Sequence, residues 1–576
     1  MLRLGRAMVS LVAVLALALG AQAAEPLALV PQEADFVIAL RRPGETVDLA
    51  MNVLRDQRLQ ALPQLQEALE QVPVRRFLQL VRYAERELGK PWRQLVDELS
   101  GDGIILAGKY GPQPSPILLI VQGRDAALMS RAMVLFAEVL EQELGRRDLP
   151  NDRRVHERGG LKVTQIGQAY FAVVGKAFLL SNRLEVFDYV APLAHGQVER
   201  SLARSAKWRA AQGSLPEAAL VWAWFDLRPP KQLKEVQQAL ELPGDAFVLH
   251  LLFGRYLDVF KRSDFVTAYV LADSTHATLT IHAPAGWNGS GLAACAQMPA
   301  GGKGAIRPPL QVPGAVYSSS FYFDPAAFLG QRGKLLTDKQ RQAFEEFDKN
   351  SAKFLLGTRF SELVLGLGSR HRLVVAQPDR KTYGQDKPAT IPSFALVLEL
   401  KDPDRLGPKL AAIFRGAALL VTFKTRLELV EEEQGGVKLV GYRFADTEAN
   451  RAVQNGVLFN FSPCFAQVGD QLVLCSTLSL GRLLVAELQR EQAKPEAMPH
   501  RLFADVFSWE GLVEVLRSNE EQLVVQFMLE RVQSREAAEK QAETVLELFR
   551  SLGRVELRWI SEEHHSRLEV ELKPQR

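Results

Sequence analysis

The feature that most constrains this chain is an ordered self-similarity. Phe171-Ala-Val-Val-Gly175-Lys-Ala-Phe-Leu-Leu-Ser181 reads against Phe465-Ala-Gln-Val-Gly469-Asp-Gln-Leu-Val-Leu-Cys475 at a spacing of 294 residues, and Leu184 and Leu478 follow at the same spacing. Upstream, Gly159-Gly160-Leu-Lys-Val faces Gly435-Gly436-Val-Lys-Leu at 276, and Ile120-Val121-Gln-Gly-Arg124-Asp125 faces Val397-Leu398-Glu-Leu-Lys401-Asp402 at 277. Three blocks in one order, with a single 18-residue insertion around Asp446 to Phe459, point to two copies of one unit. The glycine- and proline-dense stretch Met298 to Gly314 reads as the joint between them. The expected layout is 1–23 leader, 24–296 first copy, 297–314 linker and 315–576 second copy.

Within each copy a short apolar strand runs through a polar turn into an amphipathic helix. Phe36 to Leu40, Leu220 to Phe225, Tyr317 to Phe323 and Leu502 to Phe507 are the strands. Asp125, Asp324, Asp402 and Ser508 have the chemistry of N-caps, since a side-chain oxygen there accepts an orphan helical N–H. Pro325 and Pro403 suit the first helical position, where no N–H is needed. Helices are predicted over Leu59 to Leu88, Ala126 to Leu144, Asp338 to Phe347 and Glu520 to Leu552. Hairpins over Phe265 to His282 and Val555 to Leu572 close the two copies, and tight turns make their strands antiparallel. The predicted fold class is α+β: two tandem copies of an antiparallel sheet with helices packed on one face.

The start of the chain reads as an export signal. Arg3 and Arg6 precede the apolar run Val9 to Leu19, and Ala21-Gln22-Ala23 offers the small residues of a cleavage site before Ala24. An uncleaved anchor would need roughly 20 apolar residues. No cysteine follows the cleavage site for lipid attachment. The formal charge of +3 falls by two with the leader, and the remaining lysines and arginines are interspersed with acids. A nucleic acid is therefore not the expected partner. An unidentified protein or envelope component is, with no transmembrane span once the leader is removed. The expected location is the periplasm, the cell envelope or the exterior.

Cys295, Cys464 and Cys475 are too few for a disulfide scaffold. If Gly469-Asp470 is a two-residue hairpin turn, Val468 faces Gln471 and Cys464 faces Cys475. Directly opposed residues lie within the Cα range of a disulfide, and an oxidising compartment favours one, so a structural disulfide Cys464–Cys475 is expected in the second copy. Buried reduced thiols are the alternative. Tyr170 and Ser181 hold these places in the first copy.

Recognisable reaction chemistry is absent from the sequence. There is no Gly-x-Ser-x-Gly elbow, no Ser-x-x-Lys pair, no phosphate loop and no His-Glu-x-x-His. Gly301-Gly302-Lys303-Gly304 lies in the joint and opens no helix. Glu562-Glu563-His564-His565 could ligate zinc, but adjacent turn residues splay apart, and a solvated turn is the simpler reading. Trp222 and Trp224 share one strand face; they read as core, or as the lining of a cavity for an apolar, lipid-like ligand. No cofactor, metal or catalytic residue is expected.

The phrase Leu29-Val30-Pro31-Gln-Glu-Ala34-Asp35-Phe-Val-Ile-Ala resembles the opening of a family of exported, planctomycete-like bacterial proteins of unknown function. The resemblance implies alternating hairpins and helices and carries no catalytic residues. The expected role is therefore a non-enzymatic binding or structural module. A carrier of an apolar ligand and a hydrolase with an unrecognised site are the alternatives.

Overall fold

A computed structural model describes residues 26–60, 63–111, 113–240, 256–273, 275–286, 305–377, 390–422 and 426–575. The leader, Cys295 and Gly301 to Gly304 lie outside the described residues. The chain divides into two compact units, 1–237 with 263–282 and 238–262 with 283–576. Each is described by itself.

Among its described residues the first unit contains ten strands: β1 Phe36–Leu40, β2 Gly103–Gly108, β3 Ile117–Gln122, β4 Arg153–Arg158, β5 Leu161–Ile166, β6 Ala169–Val174, β7 Ala177–Ser181, β8 Val221–Asp226, β9 Phe265–Ala272 and β10 Ala277–Ala283. They pair antiparallel in the order β4-β5-β6-β7-β3-β2-β1-β8-β9-β10. The second unit contains β11 Ala315–Tyr322, β12 Leu367–Ala376, β13 Ser393–Leu400, β14 Leu427–Gln434, β15 Val437–Phe444, β16 Cys464–Val468, β17 Gln471–Cys475, β18 Arg501–Ser508, β19 Arg554–Ser561 and β20 Ser566–Lys573. Their order is β14-β15-β16-β17-β13-β12-β11-β18-β19-β20, also antiparallel. Adding ten to each label of the first order gives the second.

The paired glycines fall at matching turns. Gly175 and Gly469 have φ of 57° and 58° in the β6–β7 and β16–β17 turns, a left-handed conformation that an L side chain resists. Gly159-Gly160 and Gly435-Gly436 likewise turn β4 into β5 and β14 into β15. The helix Glu448–Ala452 and the 3-10 segment Val453–Asn460 separate β15 from β16, where the first unit has only Gly167 and Gln168 between β5 and β6. That is the place of the insertion read from the sequence.

Helices cover both faces of each sheet, not one as expected. In β3, Leu118 and Ile120 join the core under the helix Val186–Ala194, whereas Leu119 and Val121 join the core under the helix Ala126–Gly145. In the second unit Val397 and Val473 pack toward the helix Leu478–Ala493, and Leu398 and Leu472 toward the helix Pro403–Thr422. The signal was the unbroken run Ile-Leu-Leu-Ile-Val in β3: a strand with one wet face alternates, and this one does not.

The helix starts behave as local chemistry dictates. Asp125, Asp324 and Ser508 accept backbone N–H groups of the first turns they precede, and Arg405 N donates to Asp402 at 3.2 Å. Pro325 and Pro403 are first residues of their helices. Replacing Asp324 by alanine is expected to cost about 1 kcal/mol, the usual worth of an N-cap, read as a shift in urea midpoint. Two helices expected to be continuous are broken. In the first, Pro63–Glu70 and Val72–Leu88 are separate helices, because Pro73 cannot donate and suits only a first turn. The other splits into Glu520–Arg531 and Arg535–Ser551, where Val532 turns left-handed at φ 50° and Ser534 caps the next helix.

The described part of the expected linker is packed structure. Ala305–Ile306 pairs with Met498–Pro499, and Ile306, Leu310 and Val312 are buried in the second unit. Apolar residues set between the prolines give this extended strap an inward face. Among the described residues no helix is long and apolar enough to cross a membrane.

Candidate functional site

Alternation along β12 puts Arg372 on the same face as Val374 and Ala376, inside the apolar core. It is 3% exposed. A guanidinium stays charged, so each donor needs a partner there. Arg372 Nη1 donates to Glu491 Oε2 at 2.5 Å and to the Pro308 carbonyl at 3.2 Å, and Nη2 donates to Gln471 Oε1. Burial pulls this guanidinium below its usual value, against the opposing pull of Glu491.

Around it a balanced network extends toward solvent. Arg307 reaches Asp470 at 2.5 Å, Glu491 at 3.6 Å and Glu399 at 3.9 Å. Arg370 Nε donates to Glu399 Oε1 at 2.7 Å, while the Ser369 and Arg370 amides donate to Oε2 at 2.9 and 3.0 Å. A Cβ on Gly368 would lie 2.4 Å from the Glu399 side chain, so glycine is required for this approach. Arg370, Glu399 and Asp470 of this network line a cleft of about 370 Å³ together with Asp324, Ser369 and Lys401. The start of the Pro403–Thr422 helix and the β16–β17 turn form its walls.

Burial alone would push Glu399 up; the Arg370 hydrogen bond, its charge and the two amides outweigh this and hold the carboxyl below its ordinary value of 4.5. A folded-state value below the unfolded one stabilises the protein above the unfolded value, and that contribution fades as pH falls through the folded one. Glu399→Gln is expected to remove part of the stability loss below pH 4.5, measured as a shallower fall of urea midpoint with acidification. An unchanged acid profile would refute the assignment.

The cleft offers charge and fixed hydrogen-bond donors. The Arg370 guanidinium, 41% exposed, and the exposed Lys401 stand at its mouth, where an acidic or carbonyl-rich surface would fit. His371 nearby donates through Nε2 to the Phe323 carbonyl and is 3% exposed. Burial holds its pKa down. At the register-equivalent places of the first unit, Arg372, Glu399 and Gln471 become Ile105, Gln122 and Ala177.

The sequence assigned none of these residues to a site: Asp324 was read as an N-cap, Asp470 as a turn residue and Lys401 as part of a repeated block. The available signal was Arg370-His-Arg372 running into Leu-Val-Val: strand alternation puts that charge on a core-facing row. The residues it did single out lie elsewhere. Cys464 and Cys475 pair directly opposite one another, as the turn geometry required, yet both are buried free thiols and Cys464 Sγ donates to the Thr477 carbonyl at 3.3 Å. The expected disulfide is therefore not formed. Counting outward from the two-residue turn makes this a hydrogen-bonded pair, in which side chains stand farther apart than in the alternate pairs. Burial pushes the Cys475 thiol well up, and its Cys464 neighbour adds to the effect.

Trp222 and Trp224 are 2% and 0% exposed and sit in the first unit's core beside Trp208, at ring distances of 5.0 and 6.3 Å. Arg41 and Lys207 cover their rings. Glu562 and His565 approach to 3.6 Å in the β19–β20 turn, and among the described residues no group of three potential metal ligands converges.

No family profile matches this chain, and no curated protein matches it. Among solved structures it is similar to crystal forms I, IV and III of TP0453, a Treponema protein, at 10% identity over 46% of this chain and 80%, 81% and 80% of that one, with TM-scores of 0.23, 0.25 and 0.22.

Proposed function

We propose that this chain is an exported protein of the periplasm or cell envelope, built from two descendants of one sheet-and-helix unit, that works as a binding or structural module without catalysis of its own. The duplication reading is supported by the shared strand order and by the matching positive-φ glycines. Export is supported by the leader-like start and by the resemblance of the Val30-Pro31 phrase. The carrying observation for binding is the cleft in the second unit. Beside it Arg372, paired with Glu491, and Gln471 stand where the first unit has the apolar Ile105 and Ala177, and Glu399 stands where it has Gln122. Maintaining such a network costs desolvation that an apolar core avoids, which is the mark of a place kept for recognition.

The test is in-cell crosslinking of the tagged full-length protein, with mass spectrometry of captured proteins and extracted small molecules. A defined envelope protein should be captured, and Arg370→Ala with Lys401→Ala should abolish its capture. Undiminished capture by that variant would refute the cleft as the contact. A stoichiometric lipid in the extract would favour the carrier reading instead.

A further inference from the structure

We propose a second, independent site in the second unit: a pocket for a compact zwitterion of amino-acid type, between β11, β18, the helix Trp509–Arg517 and the strap Leu310 to Gly314. The register shows why a hollow exists there. In the first unit Val37 of β1 faces Trp224 of β8, and Ala39 faces Trp222. In the second unit the same places hold Ser318 facing Val506 and Ser320 facing Ala504. Two indoles are thus exchanged for a valine and an alanine, and the strands beside them gain hydroxyls. The result is a cavity of about 350 Å³ bordered by Leu310, Gln311, Gln377, Ser318, Val506 and Arg554, with Glu510 and Glu514 on its helical side.

Ser318 is 2% exposed, lines this cavity, and has no hydrogen-bond partner for Oγ among the described residues. A buried hydroxyl left unpaired costs about 1–3 kcal/mol, so the place calls for a polar occupant. Gly511 brings the helix against β11: a Cβ there would meet the Ala315 carbonyl oxygen at 2.5 Å. This close seat holds Glu510 and Glu514 over the opening.

The charges select the ligand class. Glu514 is engaged by Arg517 and Arg550 at 3.9 and 3.3 Å. Glu510 and Arg554 line the same cavity and make no ion pair among the described residues. Arg554 stands opposite Ser508 in the sheet, where the first unit has Phe265 opposite Asp226. One uncommitted carboxylate and one uncommitted guanidinium, with hydroxyl and amide groups between them, match an ammonium and a carboxylate carried by one small molecule.

The experiment is calorimetric titration of the full-length protein with the twenty free L-amino acids, their N-acetyl and methyl-ester forms, glucose and putrescine. At least one free amino acid should bind, and blocking either end should weaken it about tenfold or more, as should Glu510→Gln and Arg554→Gln. Both replaced side chains are exposed, so these variants should keep the parent melting temperature. Val506→Trp with Ser318→Val, which imitates the first unit, should abolish binding while the protein stays folded. The proposal is overturned if no free amino acid binds at millimolar concentration, so that water alone fills the pocket. It is equally overturned if blocked or non-zwitterionic compounds bind as well as the free forms, or if both charge variants bind like the parent.

Discussion

Glu491→Ala is expected to lower the unfolding free energy by about 3–5 kcal/mol, the range for breaking a buried ion pair by removing one partner. Arg372 is the reason. Its guanidinium lies within the second unit's core, and Glu491 supplies the 2.5 Å carboxylate contact that compensates its charge. The acid itself is 16% exposed and also meets Arg307. Truncation leaves Arg372 charged, buried and held only by the Gln471 side chain and the Pro308 carbonyl. The double replacement Arg372→Met with Glu491→Leu should recover most of the loss, because the charge and its partner leave together. Urea unfolding of the parent, Arg372→Met, Glu491→Leu and the double variant closes the cycle, with Glu491→Ala measured beside it. A cost below about 1 kcal/mol for Glu491→Ala would mean that water reaches the pair and the network is a surface feature.

Trp224→Ala should cost a comparable 3–5 kcal/mol. The side chain is fully enclosed, meets Trp208 edge-on and lies beneath the Lys207 ammonium, whose Nζ is 5.3 Å from the ring centre. Removing the indole opens a void that the flanking strands cannot close, and it strips the aromatic face from a half-buried lysine. The contrast is informative. Val506 is the register-equivalent residue of the second unit and borders an existing cavity. Val506→Ala should cost clearly less, since fewer atoms leave and part of the surroundings is already open. Equal costs at the two positions would argue against a hollow in the second unit.

Much of the local structure was legible in the residues. Asp125 and Asp324 cap, Pro403 opens a helix, and Gly175 and Gly469 turn hairpins, because each outcome depends on one residue's backbone reach or missing N–H. The cross-strand facing of Cys464 and Cys475 followed from a two-residue turn and strand periodicity alone. What those thiols do did not follow, since bonding depends on side-chain spacing in a hydrogen-bonded pair. The Ala305 to Gly314 strap was read as a linker because glycine and proline dominate it; burial of Ile306, Leu310 and Val312 is a property of the surface it meets.

The same division separates site from scaffold. By itself the sequence determined local strands, turns and helix caps, since period-two patterning and turn chemistry act over a few residues. Only the tertiary structure decided that both sheet faces are covered, that Arg307, Arg372, Glu399, Asp470 and Glu491 meet, and that Ser318 opens onto a hollow where the first unit holds tryptophan. Those outcomes join residues far apart in the chain, as Ser318 and Val506 are in the sheet. Sheet pairing sets that proximity, and no local propensity encodes which distant side chains will share the space it encloses.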